Sequence, residues 1–355
     1  MNIKETKDLI KTTFKTQIET GVRFSIMLNS GPGLGKSQGA EQVAQELTRE
    51  WGEEVAFLPY FLSTLEAPDV TGIKIPTKDK EGNPITVSTR APWMPKTGAP
   101  KFGIVLFDEF RQSAHDVQKA AAEIFVSGGH GDSKLPITYF VLAASNREKD
   151  RSGVQRELAF ITNRMMHINV TPDLNCWVDW AERIGIHYAA VAYAKSHPGD
   201  IFRDEIPDKP GPYATPRTLV KLSYLIGRLD MGAFTAASEG YLGEGVGTKF
   251  TAFLRVVDEQ PKFEDIVAAP ASIPVPTRPD ASYAVMQMLA ARVDGPTAAP
   301  VFQYLQRMGK EFQIAGLKAT VRRSPVLMQT AEFGSWIRAN KDIVLAANLI
   351  SPVKK

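Results

Sequence analysis

The chain has 355 residues, 43% of them apolar, and carries 42 basic against 39 acidic side chains, a net charge of +3. That is enough chain for one large domain or two to three modest ones, and enough apolar matter to exclude wholesale disorder. The charge balance is too even to argue for a nucleic-acid or membrane partner, and no apolar run approaches the roughly 18 residues of a membrane span.

The charged opening MNIKETKDLI lacks the apolar core of a signal peptide, so the chain reads as a soluble cytoplasmic protein. Ile10, Phe14 and Ile18 recur at helical spacing and predict an N-terminal helix. VRFSIML (22–28) predicts a short strand that leads straight into SGPGLGKSQ (30–38). Beyond that loop, Ala40, Val43, Ala44 and Leu47 form one face of a second helix. VAFLPYFL (55–62) predicts another strand. Residues 71–100 are rich in Gly, Pro, Lys and Thr, with KDKEGNP as a turn. With Lys74, Lys78 and Lys80, this stretch reads equally as a partner-touching loop and as a solvated hairpin. FGIVLFDEF (102–110) predicts a buried strand ending in two acids. Val117, Ala120, Ala121, Ile124 and Phe125 predict an amphipathic helix, and ITYFVLAASN (137–146) a further buried strand. Strands alternating with helices predict an α/β domain with a mostly parallel sheet.

From Pro172 onward the pattern is helical. Trp177, Trp180, Ala181 and Ile184 fall on one face, and the single cysteine, Cys176, reads as a small buried apolar residue in a reducing compartment. In ATPRTLVKLSYLI (214–226), Leu219, Leu222 and Ile226 keep helical spacing, with Thr215 as N-cap and Pro216 as first helical residue. Residues 268–280 form a proline-rich connector, and 281–350 are again helical. The five histidines show no metal-ligand spacing, and there is no HExxH or CxxC.

The loop fits the phosphate-binding pattern G-x-x-x-x-G-K-[ST] except at its first position, where Ser30 stands for glycine. That change matters only if the position needs a positive φ. Backbone N–H groups from Gly31, Pro32, Gly33, Leu34, Gly35, Lys36, Ser37 and Gln38 bracket a phosphate cradle; proline contributes none of its own. Lys36 reaches for phosphates and the Ser37 hydroxyl suits Mg²⁺. Asp108 would hold Mg²⁺ through water, and Glu109 would orient or activate an attacking water. Asn146 is placed to position that water. Arg151, Arg156, Arg164 and Arg217 are candidates to stabilise transferred phosphate charge.

In this order, GPGLGKS, VLFDEF, AASN, ITNR and ATPR resemble the motifs of AAA+ ATPases, and specifically of the MoxR branch. STLEAPDVTG, DEFRQSAHDVQKAAAEIF and WVDWAERIGIH strengthen that resemblance, which covers residues 24–226. It implies an AAA+ P-loop core over residues 1–171, a helical lid over 172–267 and a helical C-terminal extension over 281–355. It also implies ATP and Mg²⁺ as ligands, with Lys36 and Ser37 as Walker A, Asp108 and Glu109 as Walker B, Asn146 as sensor 1, Arg164 as arginine finger and Arg217 as sensor 2. A finger acting on a neighbouring subunit implies a homo-oligomeric ring, commonly a hexamer. The branch implies a motor that remodels a protein client, often with a partner carrying a von Willebrand factor A domain. No D-x-S-x-S occurs here, so that partner would be a separate chain. Two readings compete with it: a nucleic-acid motor, against which the near-neutral charge stands, and an ATP-gated scaffold with little turnover, against which Glu109 stands.

Overall fold

The structure, a computed structural model, describes residues 1–130, 133–147, 150, 159–207 and 210–346. The strands are β1 (Ser25–Asn29), β2 (Val55–Phe61), β3 (Lys74–Lys78), β4 (Pro84–Ser88), β5 (Phe102–Asp108), β6 (Gly129–His130), β7 (Ser133–Lys134), β8 (Tyr139–Ser145) and β9 (Met166–Asn169). The helices among them are α1 (Ile3–Thr20), α2 (Lys36–Trp51), α3 (Ala67–Thr71), α4 (His115–Ala122), α5 (Ile124–Ser127) and α6 (Ala159–Thr162). Beyond β9 there are only helices among the described residues. These are α7 (Leu174–Arg183), α8 (Tyr188–Ser196), α9 (Pro198–Ile201), α10 (Pro216–Ser223), α11 (Met231–Leu242), α12 (Glu244–Asp258) and α13 (Phe263–Ala268). They continue as α14 (Pro279–Arg292), α15 (Ala298–Leu305), α16 (Lys310–Arg323), α17 (Ala331–Ala339) and α18 (Lys341–Ala346). The chain forms two compact units: Met1–Pro172 with Asp204–Ile206, and Asp173–Arg203 with the residues from Pro207 on.

In the first unit, β2, β5, β8, β1 and β9 pair in that order, all in parallel. Ile26, Leu28, Ile104, Leu106, Phe140 and Leu142 face α1 and α2. Met27, Val105, Phe107, Val141 and Ala143 face the opposite side, packed with Val117, Ala121, Ile124 and Phe125 of α4 and α5. Strands covered on both faces have no solvent side, which is why they read as unbroken apolar runs. The α/β class predicted from sequence, a mostly parallel sheet flanked by helices and followed by a helical region, is the fold observed.

Several boundaries shift for local reasons. β1 begins at Ser25, and Val22 ahead of it is 55% exposed. The helix expected across Val117–Phe125 is two helices meeting at Glu123, with Ala120 only half-buried. Gln118 is buried instead, its amide donating to Ser113 O at 3.1 Å. The KDKEGNP turn closes an antiparallel hairpin of β3 and β4, where Asp79 Oδ1 accepts N–H groups of Glu81 and Asn83 at 3.0 and 2.8 Å.

In the second unit, Tyr193, Leu219, Leu222, Phe250 and Ala284 centre one apolar cluster. Val285, Leu289, Val301, Phe302 and Phe333 centre another. Helix α14 serves both and is buried on nearly every side. Thr215 caps α10 and Pro216 is its first residue, as expected. Ile184 is not on the buried face of α7: it follows the last helical residue, Gly185 takes φ 77°, and Ile184 is 49% exposed. Ile226 likewise falls beyond the end of α10, and Cys176 is half-buried rather than enclosed.

Candidate functional site

Adjacent strands β5, β8 and β1 end together. In register, Asn29 lies beside Ser145, and Phe107 beside Ala143. Asp108, the last residue of β5, and Ser30 and Asn146, which follow β1 and β8, therefore lie together at the carboxyl ends of a parallel sheet, where α/β sheets bind ligands. The loop 30–35 then climbs from β1 into α2. Gly33 and Gly35 hold φ of 76° and 84°, the left-handed region that a side chain resists. Ser30 needs no such freedom, since Glu109 is the only non-glycine with positive φ among the described residues. The serine-for-glycine change thus imposes no backbone strain. Gly35, with no side chain, supplies no cap to the first N–H groups of α2, a 16-residue helix.

Lys36, the first residue of α2, is 8% exposed. Its ammonium donates to Ser30 Oγ at 2.9 Å, Ser30 O at 3.1 Å, Gly31 O at 3.2 Å and Asn146 Oδ1 at 3.1 Å. The Ser37 hydroxyl donates to Asp108 Oδ2, and the Glu109 N–H to Asp108 Oδ1 at 2.8 Å. The structure therefore brings together Ser30, Gly31, Lys36 and Asn146 as one group, and Ser37, Asp108 and Glu109 as another. Pro32, Gly33, Leu34 and Gly35 form the half-exposed crest between them, and Gln38 is exposed.

Glu109 holds φ 57° and ψ 34°, a conformation costing on the order of 1 kcal/mol that persists where surroundings enforce it. Its carboxylate accepts the Ser63 hydroxyl from the turn after β2. Ser63 was missed by sequence reasoning because its contact spans 46 residues of chain. Ser145 precedes Asn146 in the run AASN. It is 1% exposed, accepts the Arg111 N–H at 3.3 Å and lies 3.2 Å from Gln112 Oε1, joining β8 to the segment after β5.

Arg147 was also missed. Its Nε and Nη2 donate to the two oxygens of Asp150 at 3.1 and 2.9 Å, and its Nη1 to Asp204 Oδ1 at 2.5 Å. A Cβ on Gly31 would come 3.2 Å from its Nη2, so this guanidinium borders the loop. Burial lowers its pKa, but Asp150 and Asp204 outweigh that and raise it. Its sequence signal was the aspartate three residues on.

Arg164 is exposed, and its Nη1 donates to Ala122 O at 3.4 Å, near the end of α4. Arg217 is an exposed second residue of α10, in the second unit. Arg151 and Arg156 lie outside the described residues.

The residues fit a nucleotide phosphate chain: an uncapped helix N-terminus, a buried lysine and two left-handed glycines. Among the described residues no three His, Cys, Asp or Glu side chains cluster as a metal cage. Ser37 and Asp108 suit Mg²⁺, which keeps most positions for water and phosphate oxygens.

No protein-family model matches the chain, and no curated protein does. Among solved structures it is similar to a RuvB mutant of Thermotoga maritima, at 14% identity over 77% of each chain with TM-score 0.40. It is also similar to PCH-2 of C. elegans, at 14% identity over 73% of this chain and 63% of that one, TM-score 0.31. NtrX from Brucella abortus matches at 12% identity over 94% and 67%, TM-score 0.30. Likenesses this distant say nothing of substrate or partner.

Proposed function

We propose that the chain is a Mg²⁺-dependent AAA+ ATPase, of the MoxR type, that works as a ring and remodels a protein client. The observation that carries this reading is the convergence of Lys36, Asn146, Ser37 and Asp108 on a glycine loop at the ends of three adjacent strands. Lys36 and the loop N–H groups bind the phosphates. Ser37 and Asp108 would hold Mg²⁺, which supplies neutralisation of phosphate charge when bound. Glu109 takes the proton of the attacking water, and Asn146 orients that water. Arg164 serves as the finger toward a neighbouring subunit's nucleotide, and Arg217 as the second sensor from the helical lid.

In this reading the core is residues 1–171, the lid 172–267 and the C-terminal extension 281–355, with six copies to a ring. No helix among the described residues is long and apolar enough to cross a membrane, and the proposed location is the cytoplasm. A von Willebrand factor A protein is the partner class to try first. The hairpin of β3 and β4, exposed at every residue, supports a role in touching client or partner.

The test is ATP turnover against protein concentration, with mass measured alongside. Turnover should rise with assembly. Glu109→Gln should assemble and lose about 10²–10⁴ in rate, the usual worth of a general base. Arg164→Ala should assemble and lose about 10³–10⁵. A wild type that binds ATP and assembles but never turns over, alone or with a partner, would leave the scaffold reading instead.

A further inference from the structure

Ser30 does more than substitute for a glycine. It is 0% exposed, and its hydroxyl proton is directed to Gly31 O at 2.9 Å. A hydroxyl has one proton and two lone pairs, so with the proton committed the lone pairs are left to accept. What they accept is the Lys36 ammonium, at 2.9 Å, the shortest of its four contacts there. Ser30 Oγ, Ser30 O, Gly31 O and Asn146 Oδ1 are acceptors for its three N–H groups. Glycine at position 30 would supply the carbonyl but not the hydroxyl. Nothing in the backbone asks for glycine, because the position does not take a positive φ.

We propose that the Ser30 hydroxyl, with Asn146, forms a resting seat for the Lys36 ammonium that competes with incoming nucleotide phosphates and sets the affinity of the site. This rests on the reading of Lys36 as a phosphate ligand. To turn toward a β- or γ-phosphate, Lys36 gives up its charge-assisted bonds to the seat. Ser30 is thus a positioning residue acting through Lys36, and its effect on affinity is opposite to that of an ordinary loop-stabilising side chain. Removing a group that only holds the loop would weaken binding, whereas removing an arm of the seat tightens it.

The experiment is calorimetric titration of the full chain with MgADP, for wild type, Ser30→Ala and Ser30→Gly, with thermal melts of each protein alone. Alanine removes only the hydroxyl, and glycine also frees the backbone. Both variants are expected to bind about tenfold tighter than wild type, the scale of one charge-assisted hydrogen bond. Equal or weaker binding by either variant overturns the proposal. So does tightening by Ser30→Gly alone, which would assign the effect to backbone freedom. If wild type shows no binding and both variants bind, the seat is supported in its strongest form. If none of the three binds MgADP, the seat and the nucleotide reading fall together, whereas wild-type binding without tightening sinks the seat alone.

Discussion

Two buried charges, one in each unit, are held in different ways. Lys36 in the first unit is surrounded by two carbonyls, a hydroxyl and an amide, with no carboxylate among those contacts. Glu182 in the second unit is 1% exposed, and its oxygens accept the Gln287 amide at 2.6 Å and the Arg322 guanidinium at 2.8 Å. Arg322 in turn pairs with Asp179 at 2.6 Å. The glutamate of α7 is locked by an opposite charge from α16 and an amide from α14. The Ser30, Gly31 and Asn146 acceptors on the lysine are neutral, and a phosphate can outbid them. Burial of a charge by itself does not separate a structural group from a binding one; the kind of partner does.

The largest expected break in that contrast is Glu182→Ala. It leaves the buried Gln287 amide without its acceptor and Arg322 with Asp179 alone, and should lower unfolding free energy by about 2–3 kcal/mol in a urea titration, with MgADP affinity unchanged in the protein that remains folded. Lys36→Ala should do the reverse. Binding of MgADP should fall by about 100-fold or more, while stability changes by about 1 kcal/mol. Equal stability losses from the two substitutions would erase the distinction.

Arg147 is an intermediate case, paired with carboxylates yet bordering the loop. Arg147→Ala leaves Asp150, itself 2% exposed, without its main partner, and should cost about 2 kcal/mol by urea titration. The smallest effect lies at the surface, where Glu46 of α2 pairs with Lys7 and Lys11 of α1, each at 2.5 Å. Burial raises the Glu46 pKa, but Lys11 and Lys7 lower it by more, so it sits below the usual carboxylate range. A depressed folded pKa means stabilisation that is full above the unfolded value and is lost as pH falls through the folded one. Glu46→Gln should therefore cost about 0.5 kcal/mol near neutrality, and melting temperatures of the two proteins should converge below about pH 4.

Much of the first unit was legible in sequence because its strands are buried on both faces. GIVLF and YFVLAA are unbroken apolar runs, with the two acids directly after the first and the asparagine two residues after the second. The helical unit was harder to read in detail. Ile184 and Ile226 keep helical spacing, yet their helices stop short of them, one where Gly185 turns left-handed. Spacing reports which residues share a face only while the helix lasts. Gln118 and Glu182 were not predicted as buried, since a polar side chain enters a core only when a distant partner waits there.

Sequence alone determined the α/β class, the loop between β1 and α2, and the arrival of Asp108, Glu109 and Asn146 at strand ends. All of these follow from periodicity and from residues adjacent in the chain. Tertiary structure alone decided that Lys36 lies on Ser30 and Asn146, that Ser37 meets Asp108, that Ser63 holds Glu109 and that Arg147 borders Gly31. Except for Lys36 with Ser30, each of these contacts joins residues at least 46 positions apart, up to 116 for Arg147 and Gly31. Only the order and register of β2, β5, β8 and β1 bring such positions within hydrogen-bond reach. Local propensity carries no information about that pairing, because it is settled by which apolar faces are buried together.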